Sequence, residues 1–330
     1  MLSRVAENVY WMARYLERAE NTARLINTTT QVLLDLPKEA SFGWDILLKV
    51  AGLDQLYDEF GKETNEMSIM YFLIEDERNP SGLVSSINCA RENSRTFREI
   101  LPKEFWERVN SLYLYMREHA PRTFQSRASR YEVLNQVIDR CQSLSGLLMG
   151  CMSHDLAYQF IELGRSIERA DMTTRIVDIN SAVLFSKQDM ALEPLQERLW
   201  MAVLKALSAY QMYRRHVCVH VSGQDVLNFL LQDTHFPRSV RHCLGKIDES
   251  LATLPHQAVT LRVARKAWRR MAGLRWEGLT PAVLHEYLDQ TQTDLGDIHR
   301  TLSNQYFHPP VSTADGPQTT LISSQSEQQA

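Results

Sequence analysis

Apolar residues recur at three- and four-residue spacing along almost the whole chain, and Pro37, Pro80, Pro102, Pro121, Pro194, Pro237, Pro255 and Pro281 fall between the periodic runs. That period puts one apolar stripe on each helix. It predicts helices over 3–34, 44–61, 82–100, 104–119 and 129–150, followed by a similar series in the second part. No segment alternates apolar and polar residues as a half-buried strand does, and no glycine-rich turn follows an apolar run, so neither a sheet nor a phosphate loop is expected. The pattern stops after Tyr306 and Phe307. The remainder, 308–330, is polar and rich in Ser, Thr and Gln, and is expected to be a disordered tail.

The second series repeats the first in its polar positions as well as its apolar ones. Arg14, Glu17, Arg18, Ala19, Thr22 and Arg24 align with Arg165, Glu168, Arg169, Ala170, Thr173 and Arg175. Further on, Trp44, Leu48, Lys49 and Tyr57 align with Trp200, Leu204, Lys205 and Tyr213, and FLIEDERNP aligns with FLLQDTHFP. Leu101-Pro102 then matches Leu254-Pro255, and Val133, Leu134, Asp139, Gln142 and Gly146 match Val283, Leu284, Asp289, Gln292 and Gly296. The matches are collinear and small loop insertions explain the drift in spacing. The expected architecture is therefore all-α: two internally duplicated helical-bundle repeats of about 150 residues, 1–150 and 151–307, packed into one body with pseudo-twofold symmetry.

One charge pattern stands out within the repeat. At about 100° per residue, Arg14, Glu17, Arg18, Asn21 and Arg24 share roughly a third of the first helix surface, opposite Met12, Leu16, Ala19, Ala23 and Ile26. Favourable pairs are spaced three or four apart, as in Arg14/Glu17, Glu20/Arg24, Arg165/Glu168 and Asp171/Arg175. Arg14/Arg18 and Arg165/Arg169 instead set two like charges one turn apart, which implies an acceptor from outside the helix. Two readings follow. The stripes are solvated, or pair with carboxylates of a neighbouring helix and fix how the repeats dock. Alternatively, Arg14, Arg18, Arg24, Arg165, Arg169 and Arg175 line a groove as anion- or partner-binding forks, with Glu17 and Glu168 orienting them or serving as acid and base.

Composition narrows the class. The chain has 330 residues, 44% apolar and 23% charged, with 36 Lys plus Arg against 40 Asp plus Glu. These are ordinary globular values, without the basic excess of a nucleic-acid binder. Cys89, Cys141, Cys151, Cys218 and Cys243 are odd in number and contain no Cys-x-x-Cys pair, so neither a disulfide framework nor a zinc ribbon is expected. Arg4, Glu7, Arg14 and Glu17 interrupt the first twenty residues, which argues against a signal peptide, and no run of about eighteen apolar residues is present. A cytoplasmic protein without membrane contact is the expectation.

Other polar groups read more simply. Arg91, Arg95 and Arg98 have no counterparts in the second series and are expected to form a solvated face. His216 and His220 flank Cys218, but HVCVH lacks the Glu of a zinc-protease helix and a third ligand, and Glu-x-x-His is absent, so neither a metal nor another cofactor is expected. Tyr210, Tyr213, Arg214 and Arg215 are expected to pack between helices. Asp76/Pro80 and Asp233/Pro237 are expected to shape turns.

The paired LERAE and IERAD motifs, with FLLQDTHFPRSV and NPSGLVSSINCARENSR, resemble the bacterial alpha-E family, an all-helical family of unknown function named for its Glu-Arg motif. The resemblance covers most of 1–307 and places the motif on Glu17-Arg18 and Glu168-Arg169, preceded by Arg14 and Arg165. The second copy departs from the first in Gly164 for Ala13 and Asp171 for Glu20. The resemblance implies genes adjacent to a circularly permuted ATP-grasp protein and a transglutaminase-like cysteine peptidase, and hence a peptide or amide-bond pathway. The chain has no glycine-rich loop, no paired acidic motif on a strand and no Cys/His constellation, so ATP chemistry would come from a partner. The expected role is that of an accessory or co-catalytic partner of an ATP-grasp amide ligase, more a non-enzyme than an enzyme on its own. A stand-alone enzyme and a purely structural scaffold are the alternatives.

Overall fold

The computed structural model describes residues 3–35, 43–60, 63–185, 193–275 and 280–308, and within these it is all-α, with fourteen helices and no strand. The first part holds α1 (Ser3–Asp35), α2 (Asp45–Ala51), α3 (Asp54–Asp58), α4 (Glu66–Ile74), α5 (Leu83–Thr96), α6 (Lys103–His119) and α7 (Arg127–Cys151). The second holds α8 (Leu156–Phe185), α9 (Glu193–Ala206), α10 (Tyr210–His216), α11 (Gly223–Gln232), α12 (Val240–Ala252), α13 (Ala258–Ala272) and α14 (Pro281–Leu302), ending in a π-turn at Ser303–Phe307. None of these helices is long and apolar enough to cross a membrane. The expected tail lies outside the described residues except for His308.

Local chemistry accounts for most boundaries. Asn65, Ser126, Ser222, Ser239 and Thr280 each accept a backbone N–H from the first turn of the helix they precede, and Pro281 opens α14 where its missing N–H costs nothing. Where a helix was expected over 44–61, the chain breaks after Ala51, because Gly52 adopts a left-handed conformation at φ 66° and its N–H returns to Leu48 and Lys49. The helix expected over 82–100 ends at Thr96, and Arg98–Ile100 tightens into a 3₁₀ turn. Glu66–Ile74, absent from the expected set, contains the solid apolar run Ile69–Ile74 in which periodicity carries little signal; Ile69, Met70, Phe72, Leu73 and Ile74 are buried, while Met67 and Tyr71 are exposed.

At the centre, α1 packs along α8. Gly164 meets Tyr10, Arg14 and Arg18 meet Glu168, and Glu17 meets Arg169, so residue numbers rise together on both sides and the helices run parallel. A Cβ on Gly164 would collide with the Tyr10 carbonyl oxygen, so the missing side chain lets the two backbones approach closely. Around this pair, α1 packs on α5 and α7, and α8 packs on α12 and α14. One apolar cluster runs from Ala6 to Phe307 through all of these elements.

Candidate functional site

The parallel pairing turns the polar stripes of α1 and α8 toward each other, and each helix supplies a glutamate to the arginines of the other. Glu168 lies between Arg14 and Arg18: its Oε2 accepts Arg14 Nε at 2.7 Å and its Oε1 accepts Arg18 Nε at 2.6 Å, with Arg18 Nη2 3.2 Å from Oε2. Glu17 faces the opposite way, its Oε2 2.9 Å from Arg169 Nε, an ion pair in which the N–H points off-line. Both carboxylates are 3% exposed. The acceptor implied for the Arg14/Arg18 pair is thus a glutamate from α8.

A second layer distinguishes the two carboxylates. On the Glu168 side, Arg14 Nη1 donates to the Tyr10 hydroxyl at 3.3 Å, Tyr10 meets His299 Nδ1 at 2.8 Å, and the guanidinium of Arg14 lies 5.1 Å over the Trp11 ring. Arg18 Nη1 donates to Ser81 Oγ at 3.3 Å. On the Glu17 side, Arg238 reaches in from the loop before α12. Its Nη1 donates to Glu17 Oε1 at 2.7 Å and Asn21 Oδ1 at 2.8 Å, and its Nη2 to Glu20 Oε1 at 2.7 Å. Thr173 of α8 fixes that loop by donating to the Arg238 carbonyl at 2.9 Å.

Electrostatics follow from this packing. Burial alone would raise the glutamate pKa values, but the surrounding guanidinium charges outweigh it. Arg169, Arg238 and Arg165 hold Glu17 at about 2, and Arg14 and Arg18 hold Glu168 at about 2. Burial likewise opposes the charges of Arg14 and Arg169, and the facing glutamates raise both above the ordinary arginine value. Arg165 is the exception: burial and repulsion from Arg169 lower it despite the pull of Glu17, and its ion-pair partner is Glu162, on its own helix. His299 is lowered to about 4 by burial and by the charge of Arg14.

The other anion-binding candidates lie outside this cross-pairing. Arg24 pairs with Glu20 and Arg175 with Asp171, each one turn back on its own helix. Arg91 bonds Asn110 and Glu92, Arg95 bonds Glu92, and Arg98 lies over Trp106. His216 ends α10 while His220 follows it, Cys218 donates to the His220 carbonyl, and Tyr213 is buried with its hydroxyl on the same oxygen, so the two imidazoles share no helix face. All five cysteines are free.

Arg238 and Ser81 escaped the sequence reading because both follow the proline of a segment read as a turn, although the alignment of the two segments places them opposite each other. A second missed group brings Asp178, His285 and Asp289 within reach of one another, a set of ligand types that could hold a divalent cation. The His285 Nδ1 is engaged with Asp178 Oδ1 at 2.7 Å, and that bond raises the imidazole pKa.

The Alpha-E family, described as a predicted alpha-helical domain with a conserved ER motif, matches residues 1–307. The chain belongs to that family. Uncharacterized proteins of Mycobacterium bovis and Mycobacterium tuberculosis are 27% identical over 280 residues, 79% of this chain and 31% of theirs, and a second Mycobacterium tuberculosis protein is 26% identical over the same shares. The chain therefore spans about a third of the length of the curated relatives it matches. No solved structure matches.

Proposed function

We propose that the chain is two copies of one helical unit, that the Glu-Arg motif is the joint between them, and that the assembled body serves as an accessory or co-catalytic partner of an ATP-grasp amide ligase. The pathway would be one of peptide synthesis or modification that also includes a transglutaminase-like protein.

Several correspondences support the duplication. Gly52 and Ser208 both take positive φ after α2 and α9, at aligned positions. The aligned Tyr57 and Tyr213 are both fully buried, each donates its hydroxyl to a loop carbonyl, and each sets its ring edge-on to the aligned Phe72 or Phe229. The parallel α1/α8 pair matches a twofold relation along the helix axes.

The observation that carries the functional reading is the occupation of both motif carboxylates. Glu17 and Glu168 are buried, cross-paired to arginines and ionised down to about pH 2, so near neutrality neither has a proton to give nor the basicity to take one. Their role is then to join helices, and chemistry falls to another polypeptide. That relatives carry about two further lengths of chain beyond the matched region accords with a body that works alongside other domains. The ligase and the transglutaminase-like protein enter through the family resemblance alone.

The test is co-purification of the intact chain with the adjacent ATP-grasp and transglutaminase-like proteins, and ligase turnover on peptide substrates with and without it. A stable complex, or a tenfold rise in turnover, supports the reading. Absence of both rejects it, and turnover of amide or peptide substrates by the purified chain alone transfers the case to the stand-alone enzyme. Arg18→Ala and Arg169→Ala are unsuitable as interface probes, because each leaves a buried carboxylate short of a partner.

A further inference from the structure

A groove of about 930 Å³ runs between α12 and α13 on the outside of the second half, away from the Glu-Arg joint. Its α13 wall is a single stripe, Ala258, Leu261, Arg262, Arg265, Trp268 and Arg269, and Gly245, Asp248 and Glu249 of α12 form the other side. Gly245 keeps that side low: a Cβ there would meet nothing within 4 Å.

The groove is cationic in a chain whose overall charge is negative. Helix α13 carries five basic residues and no acidic one, whereas the whole chain has a formal charge of -4. Arg265 is neutralised by Asp248 across the groove at 2.7 Å, and Arg270 by Asp294. Among the described residues Arg262 and Arg269 have no carboxylate partner, and Arg269 spends only its Nε, on the Arg265 carbonyl. Arg241 adds a third such guanidinium, 5.5 Å over the Trp268 ring, with a buried Nε that has no hydrogen-bond partner. At the far end the first turn of α13 is uncapped, since Gln257 makes no side-chain bond to it.

We infer that this groove docks an acidic peptide segment of a protein partner, with carboxylates on Arg262 and Arg269 and an apolar or aromatic side chain against Trp268. Arg262 and Arg269 are two helical turns apart, about 10 Å along α13. Carboxylates three residues apart on an extended polyproline-like segment lie about 9 Å apart on one side, a close fit. Asp248 and Glu249 on the opposite wall disfavour a uniform polyanion, because a phosphate at every step would meet them, whereas a peptide can place neutral residues there. The inference does not depend on the ligase reading, since any acidic partner segment would satisfy it.

The test is selection of twelve-residue peptides from a random displayed library on the intact chain, followed by fluorescence anisotropy of the winners labelled with fluorescein. Enrichment of Asp or Glu with an intervening aromatic or aliphatic residue is expected. Affinity should fall at least tenfold in the Arg262→Glu, Arg269→Glu variant, and at least tenfold in Gly245→Leu, which fills the groove without removing charge. Neither variant removes the partner of a buried group, and equal helical circular dichroism and melting temperature confirm that each is folded. No enrichment, enrichment of basic or uncharged peptides, winners indifferent to both variants, or equal binding of a twelve-nucleotide oligothymidine would each overturn the inference.

Discussion

Glu168 and Glu17 occupy matching places on two parallel helices, yet the shells around them differ. Glu168 is the single carboxylate between two guanidinium groups, and its arginines lean on aromatic rings, a tyrosine hydroxyl and a serine. Glu17 is one member of a larger network in which Arg238 also binds Glu20 and Asn21, so charge is shared among several acceptors. The residue after the proline decides the difference: serine at 81 only touches Arg18, whereas arginine at 238 enters the joint and supplies a third cation. The two Glu-Arg pairs therefore make one joint with unequal surroundings, and should differ in how much loss each tolerates.

The largest expected effect comes from removing the less buffered carboxylate. Glu168→Ala leaves the half-buried Arg14 and Arg18 side by side without an anion and is expected to cost about 3 kcal/mol in urea denaturation. Glu17→Ala should cost about 1 kcal/mol less, because Glu20 and Asn21 still hold Arg238. Equal losses, or the reverse order, would break the comparison.

Acid should reveal both shells in sequence. A lowered folded pKa gives stability that is present above the unfolded value and lost as pH falls toward the folded one. His299 thus predicts a first decline in melting temperature from about pH 6.5 toward 4, and Glu17 and Glu168 a steeper one from about pH 4.5 toward 2. Replacing His299 with Phe should remove the first decline and leave the second. A wild-type profile that matches the His299→Phe profile between pH 6.5 and 4 would contradict the half-buried, neutral imidazole.

Close approach of the helices gives a smaller test. Gly164→Ala puts a methyl group against the Tyr10 carbonyl and is expected to cost about 1–3 kcal/mol, whereas Ala13→Gly at the aligned position loses only about 0.5–1 kcal/mol of helix propensity. Asp171→Asn, which breaks a pair within one helix, should change stability by about 0.5 kcal/mol or less.

Much of this was legible in the chain itself. Helix periodicity located α1, α6 and α7 to within two residues at either end, and the like-charged Arg14/Arg18 spacing called for an outside acceptor. The identity of that acceptor depended on which helices are neighbours and in which direction they run, and no single segment encodes this. Arg238 was hidden for the same reason, since a loop arginine declares a role only when the fold brings it to Glu17. The Gly52 break and α4 were missed where a glycine or the solid apolar run Ile69–Ile74 silences the periodic signal.

The cross-pairing also sets a timetable for synthesis. Glu168 is 150 residues from Arg18 and 154 from Arg14, so the core of the joint cannot close while the ribosome is still making the first half. At about 5–20 residues per second, α1 waits roughly 8–30 s with Arg14, Glu17 and Arg18 facing water and no mate. A charged seam suits that interval, because an apolar one would leave a sticky stripe on a half-made chain. Slow codons or a pause near residue 150 would lengthen the exposure, and ribosome-bound chains stalled there should be more readily cut by protease within α1 than chains released after α8 is complete.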